Sequence, residues 1–386
     1  MHSHRHDGED SVARRLSGVA VIGVVFTMAL SAHPPPLEAQ SDPRQTPIWV
    51  AGEEGYHTYR IPALIATPGG ALLAFCEGRK GGRGDTGDID LLLRRSWDGG
   101  RTWEKTQLVW DDAENTCGNP CPVVDRRTGT IWLLLTHNLG RDTEAQILER
   151  TSKGTRTVWV THSRDQGVTW AKPVEITAQV KRPDWTWYAT GPGVGIQTRA
   201  GRLVVPCDYY VAGTRERRSH GIFSDDQGAT WKLGGTVGPH CNECQVAELS
   251  DGRLLLNMRN YNGSHRRALS YSSDGGESWT SPVEDPVLVE PVCQASLIGL
   301  PDRPGTLLFA NPASEKRERM TVRLSRHDGR TWPAARVLHP GPAAYSCLAA
   351  LPDGSLGCLY ERGEKSPYEQ LTFARFRPDW LAAGMP

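Results

Sequence analysis

An eight-residue phrase, Ser-x-Asp-x-Gly-x-Thr-Trp, keeps returning along this 386-residue chain. It reads SWDGGRTW from Ser96 to Trp103, SRDQGVTW from Ser163 to Trp170 and SDDQGATW from Ser224 to Trp231. The copy from Ser272 to Trp279 (SSDGGESW) puts Ser278 in the Thr place. The copy from Ser325 to Trp332 (SRHDGRTW) puts His327 in the Asp place. Successive copies start 48 to 67 residues apart. Repetition on that scale means one body assembled from similar supersecondary units.

Each box follows an apolar or β-branched run, such as Asp90-Leu-Leu-Leu-Arg-Arg, Val158-Trp-Val-Thr-His or Thr321-Val-Arg-Leu. The Gly-containing centre then supplies a turn, so the pattern is strand, hairpin turn, strand. The box Ser and Asp can bind turn amides, and the Trp can pack on a sheet. The box therefore reads as scaffold. A calcium loop would need more carboxylates than one or two per copy.

A second repeat sets the number of units. A Gly opening an apolar strand occurs at Gly70, Gly129, Gly201, Gly252, Gly305 and Gly354, and an apolar run precedes each one. Six units of about four strands predict an all-β fold, a six-bladed β-propeller. A two-sheet sandwich does not explain equal units of this size.

Gly (41 residues) and Pro (27) are plentiful, as many tight turns require. The formal net charge is zero, which gives no electrostatic case for nucleic acid or an acidic membrane surface. Near the N-terminus, Arg14 and Arg15 precede an apolar run from Leu16 to Leu30, then small residues and prolines. Residues 1–39 thus read as a signal peptide with a short linker, and 40–386 as the propeller. The apolar run is short for a transmembrane helix, which needs about 20 residues. An uncleaved anchor is the alternative, and nothing else in the chain could span a bilayer. The expected location is secreted or periplasmic. The nine cysteines, Cys241-x-x-Cys244 among them, form no zinc-binding pattern, so buried thiols or one local disulfide are expected.

The Gly repeat also gives a positional test for a site. If each unit opens with a hairpin turning at its Gly, residues nine or ten before and seven to twelve after share the open end. Before the Gly stand Arg60, Asn119, Gly191, Glu243, Ala295 and Tyr345. After it stand Arg79, Asn138, Asp208, Tyr210, Arg259, Arg317 and Glu361. Arginines, a Glu and a Tyr from distant units should gather on one face.

From about Pro47 to Phe376 the chain resembles the exo-α-sialidase (neuraminidase) family of bacteria and animals. The resemblance rests on Tyr59-Arg60-Ile61-Pro62, the boxes, Glu243-Cys-Gln-Val-Ala-Glu and Gly341-Pro-Ala-Ala-Tyr345-Ser, in that order. It implies three arginines for the sialic acid carboxylate: Arg60, Arg259 in Asn257-Met-Arg, and Arg317 in Ser314-Glu-Lys-Arg. Arg319 and Arg323 are local rivals of Arg317. Guanidinium forks suit a permanent carboxylate. The resemblance makes Tyr345 the nucleophile, Glu243 its proton acceptor (ahead of Glu248) and Asp85 the acid/base (ahead of Asp88 and Asp90). A neutral phenol avoids repulsion by the substrate's own carboxylate, but its ordinary pKa near 10 calls for a base. A tyrosine nucleophile is the known sialidase departure from paired carboxylates. Arg79, Asn119, Asp208 and Tyr210 are the implied further contacts to the sugar. The implied reaction is retaining hydrolysis of terminal α-linked sialic acids from sialylated glycans, with no cofactor or metal. A related glycosidase or trans-glycosidase acting on another 2-keto sugar acid, or a non-catalytic box propeller binding glycans, are the alternatives.

Overall fold

The computed structural model describes residues 43–382, so the segment read as a signal peptide lies outside the described residues. The all-β expectation is borne out: apart from three short helices, the regular elements are strands. They form antiparallel meanders of four. The first holds Thr58–Ala66, Leu72–Arg79, Ile89–Ser96 and Gln107–Trp110, and the second Thr116–Val124, Ile131–Asn138, Thr157–Ser163 and Val174–Glu175. A single parallel bridge, Ile89 to Thr116, joins these two into one sheet. In the third meander the first strand is split into Trp185–Thr190 and Ile196–Gln197. The fourth runs from Cys241–Glu248 to Val283–Val289. The fifth begins at Ser296–Gly299.

One strand has no counterpart in the repeat. Ala334–Ala350 is continuous over 17 residues. Its first half pairs with Glu318–Ser325 and closes the fifth meander, while its second half pairs with Leu356–Arg362 and opens the sixth. The sixth meander is completed from the other end of the chain, because Arg44–Val50 pairs with Gln370–Phe376.

Hydrogen bonds tie the first-strand segments of different meanders together. Leu64 N–H donates to Cys347 Sγ, and Ser346 N–H donates to Gln294 Oε1. Gln294 and Gln245 both donate to the Pro192 carbonyl, and Thr190 Oγ1 donates to the Asn119 carbonyl. These first strands are buried on both faces, and show no alternation of buried and exposed positions.

The boxes act as the sequence suggests, with one addition. In the first, Ser96 Oγ accepts from Gly100 N–H, and Asp98 accepts from Arg101 N–H, Thr102 N–H and Thr102 Oγ1. Burial pushes the Asp98 carboxyl up, but the bonds from Thr102, Ser96 and Arg101 outweigh it and hold the pKa at about 2. The addition concerns the Trp, which reaches the preceding meander. Trp103 meets Phe373 edge-on at 5.2 Å, and Trp170 meets Phe75 at 5.7 Å. The box Gly makes this approach possible. A Cβ at Gly100 (φ +82°) would lie 2.1 Å from the Phe373 ring.

All nine cysteines are free and buried, so the thiol alternative holds and the local disulfide does not form. No helix among the described residues is long and apolar enough to cross a membrane.

In the fifth box His327 Nδ1 bonds Thr331 Oγ1 at 2.9 Å, but no side-chain oxygen receives the Thr331 amide as Asp98 receives that of Thr102. His327→Asp should therefore raise stability by about 0.5–1.5 kcal/mol, one net hydrogen bond, in urea titrations at pH 7. An unchanged or lowered midpoint would show that the turn does not depend on that acceptor.

Candidate active site

The residues singled out at the open ends of the hairpins converge, and they do so through a shared backbone device. The pairing register shifts between Arg60 and Ala63, between Gly118 and Cys121, between Cys241 and Cys244, and between Ala343 and Ser346. These irregularities hold Arg60, Asn119, Glu243 and Tyr345. Ile61 (φ 60°) and Asn119 (φ 51°) adopt left-handed backbone within them. A bulge re-aims a side chain that a regular ladder would point into a sheet face.

Tyr345 is the hub. Its hydroxyl donates to Glu243 Oε1 in a short bond. Arg259 Nη1 donates to Glu243 Oε2 at 2.6 Å and to the Tyr345 hydroxyl at 3.3 Å. The Arg60 guanidinium lies 4.9 Å from the Tyr345 ring centre and that of Arg317 5.8 Å, so three arginines surround one phenol. Burial and the neighbouring Glu243 push the Tyr345 phenol well above its ordinary range, against the opposing pull of Arg259 and Arg60. Arg317 donates to the Tyr368 hydroxyl at 2.5 Å. Arg319 takes left-handed backbone at a register shift in the strand Glu318–Ser325 and Arg323 pairs within the fifth meander, whereas Arg317 lies over the Tyr345 ring.

Asp85 lies with Arg79 and Arg60, at 2.8 and 3.5 Å. Burial raises its pKa, but Arg79 and Arg60 more than offset this and keep the carboxyl below its usual range. Asp88 and Asp90 instead pair with Lys80, and Tyr56 donates to Asp90. Arg79 is largely consumed in holding the Asp85 loop. It donates to Glu77 and to the carbonyls of Arg83 and Gly84. Glu248 sits at the far end of its strand, accepting from Arg199 N–H. Tyr210 accepts from Arg217 Nε at 2.8 Å. Asp208 is 1% exposed, and its Oδ2 is buried without a partner. Burial, then Glu243, push its pKa well up.

Glu361 entered the positional pattern without a role, and it turns out to hold the centre together. Fully buried, it accepts from Arg60 Nε (3.0 Å) and from the amides of Ile61 and Tyr345 (both 3.1 Å). Its place seven residues after Gly354 was the available signal. Arg156, Trp187, Tyr261 and Tyr368 also border the site and fall outside that pattern. The Arg156 guanidinium stacks 3.9 Å from Trp187, and Arg259 lies 4.8 Å from the Tyr261 ring.

Arginines gathered around a hydrogen-bonded Tyr–Glu pair, with a half-exposed Asp beside Arg60, can bind a carboxylate and shuttle protons around a bond beside it. The family model for a BNR repeat-like domain matches residues 70–358. The chain is 37% identical to a sialidase of Micromonospora viridifaciens, across 96% of this chain and 59% of that protein. It is 34% identical to a sialidase of Bacteroides fragilis, across 81% of this chain and 61% of that protein. The chain thus spans about three fifths of the length of these two relatives. Among solved structures, the Hadza microbial sialidase Hz136 superposes with a TM-score of 0.80 at 33% identity, covering 87% of this chain and 69% of that one.

Two buried carboxylates predict opposite outcomes. Glu361→Gln leaves the buried Arg60 charge with only the half-exposed Asp85, 3.5 Å away, and should cost about 3–5 kcal/mol in urea unfolding, as when one partner of a buried pair is removed. Asp208→Asn should stabilise by about 1–3 kcal/mol at pH 7, because the cost of burying an ionisable carboxyl with an unpartnered oxygen disappears. The raised Asp208 pKa means its favourable share is full below the unfolded value and lost as pH rises through the folded value. The gain in Tm from Asp208→Asn should therefore vanish below about pH 4. A gain that persists in acid would refute this assignment.

Proposed function

Since the chain belongs to the sialidase family, we propose that it is a retaining exo-α-sialidase releasing terminal sialic acids from sialylated glycans. The observation that carries this reading is the Tyr345 hydroxyl bonded to Glu243, with Arg259, Arg60 and Arg317 around it. A scaffold that only displayed glycans would not need a phenol hydrogen-bonded to a carboxylate under three guanidinium groups.

In the proposed cycle Arg60, Arg259 and Arg317 hold the sugar carboxylate. Asp85 gives its proton to the glycosidic oxygen as the C2–oxygen bond breaks. The Tyr345 oxygen attacks C2 from the other face, and its proton passes to Glu243. Asp85, now a carboxylate, takes a proton from water as that water attacks C2. The bond from C2 to Tyr345 breaks, and Glu243 returns the proton to the phenolate. Two inversions leave the α configuration unchanged. Charge-assisted bonds to the carboxylate contribute roughly 1.5–3 kcal/mol each.

The same reading includes a six-bladed β-propeller. It is supported by six four-strand meanders and by bonds that join the first-strand segments of the sixth to the first, the fifth to the sixth, the third to the fourth and fifth, and the second to the third. It also includes export of the chain, with residues 1–39 as signal peptide and linker and 40–386 as the propeller, supported by the basic and apolar pattern of residues 14–30.

Hydrolysis of an aryl α-sialoside tests the reading. Tyr345→Phe should lower kcat by at least about 100-fold while the protein stays folded, the lower range for losing a nucleophile's function. Proton NMR of the first turnover should show the α anomer of the free sugar. No hydrolysis by folded wild type, or β as first product, would sink it.

The acid step needs protonated Asp85, whereas Arg79 and Arg60 favour its ionised form. A substrate carboxylate bound to Arg60 relieves part of that hold. The kcat/KM profile should therefore rise toward acid pH and fall through neutrality. A maximum above pH 8 would remove Asp85 from the role.

A further inference from the structure

Arg259 reaches Tyr345 and Glu243 from a stretch of backbone that the sheet does not fix. It lies near the end of the strand Leu254–Asn260. On one side the register shifts there: Met258 pairs with Cys244 and Asn260 with Cys241, and Arg259 has no partner. On the other side the ladder to Arg266–Ser272 stops at Met258 and Ala268. The guanidinium does little to hold itself. Its Nη1 bonds Glu243 and Tyr345, while its Nε is buried without a partner.

A fully buried ion pair supplies what the ladder lacks. Arg267 and Glu290 are each 0% exposed and meet at 2.6 Å. Glu290 Oε1 accepts from Asn260 N–H at 2.7 Å, the amide directly after Arg259. Arg267 Nε donates to Asn257 Oδ1 at 2.7 Å, on the other flank of Arg259. Arg267 Nη1 also donates to the Cys293 carbonyl at 2.7 Å, and Cys293 packs in one cluster with Tyr345. The pair therefore grips the chain on both sides of Arg259 and ties it to a segment beside the nucleophile. Glu361 does the corresponding work for Arg60 and Tyr345.

We propose that Arg267 and Glu290 are positioning residues for the reaction, setting where Arg259 meets the substrate carboxylate and the Tyr345–Glu243 pair. This rests on the sialidase reading and adds to it the groups that place one of its three arginines. Having no exposed surface, neither residue touches a bound sugar. Stability alone is a poor account of the pair, because desolvation offsets the attraction between buried charges and apolar side chains of similar size do as well. Apolar side chains could not supply direction. A carboxylate oxygen fixes one amide, and a rigid guanidinium fork spans an Asn side chain and a carbonyl on another segment.

The test is a double-mutant cycle on hydrolysis of the 4-methylumbelliferyl glycoside of N-acetylneuraminic acid. Arg267→Met combined with Glu290→Leu replaces the pair by apolar groups and keeps the core filled. This variant should fold and lose about tenfold or more in kcat/KM. In an Arg259→Met background the same replacement should cost no more than about twofold, because its route to the substrate is already gone. Equal losses in the two backgrounds overturn the proposal, as does wild-type kcat/KM in the folded pair variant. If the apolar pair does not fold, Glu290→Asp carries the same cycle. It keeps the charge opposite Arg267 but is one methylene too short to hold Arg267 and the Asn260 amide together. A folded wild type that cleaves no sialoside sinks the sialidase reading alone, and the crystal structure of whichever variant folds then decides. Arg259 Nη1 should stand about 1 Å or more further from Glu243 than in wild type, a misplacement large enough to cost reactivity. Arg259 still in its wild-type place overturns the proposal.

Discussion

The Glu361 carboxylate holds the site together. One oxygen takes the Arg60 side chain and the Ile61 amide, and the other takes the Tyr345 amide. Three groups from the first and last meanders, some 300 positions apart in sequence, are fixed by a single anion. Arg60 in turn lies against Tyr345 and near Asp85. Remove the anion and the Ile61 amide loses its acceptor, Arg60 keeps only Asp85 at 3.5 Å, and the bulge carrying Tyr345 loses its anchor. The Arg60 guanidinium and the bulge that carries Tyr345 are thus positioned by one buried carboxylate.

Much of this was legible in the chain. The Gly repeat marked the hairpins, and spacing around it brought Arg60, Asn119, Glu243, Tyr345, Asp208 and Arg259 to one face. Local chemistry explains that success, because a Gly turn and an apolar strand are recorded within ten residues. What escaped was non-local. No residue type announces the bulges, since Ile61 and Asn119 take left-handed backbone without being Gly. The continuous strand Ala334–Ala350 hides a boundary between meanders that the other units mark with a turn. Arg156 lies 27 residues after Gly129, just before the strand Thr157–Ser163, outside the spacing that marked the other residues.

The boxes and the site divide the labour of the fold. Four of the five boxes tie their own turn with bonds to Ser and Asp, the fifth has His327 in the Asp place, and Trp103 and Trp170 reach the preceding meander. Most of that ladder is exposed and repeats with little change. The opposite end of each meander varies, carrying an arginine, an asparagine, a glutamate or a tyrosine on closely similar hairpins. Repetition at one end lets the other end diverge without loss of stacking.

The pairing of Arg44–Val50 with Gln370–Phe376 has a consequence for how the chain matures. Val50 meets Gln370, 320 residues further on. Until that contact forms, QLTFARF is an unpaired, largely apolar sheet edge of the kind that recruits other strands. Closing so long a loop is slow in the search and modest in free energy, since the entropy cost grows only with the logarithm of length. The vulnerable moment is therefore the interval before closure, when five meanders can stack and the sixth still offers its edge to a neighbour. A nick or truncation that removes Arg44–Val50 would make that interval permanent, leaving a nearly complete molecule with a permanent tendency to polymerise.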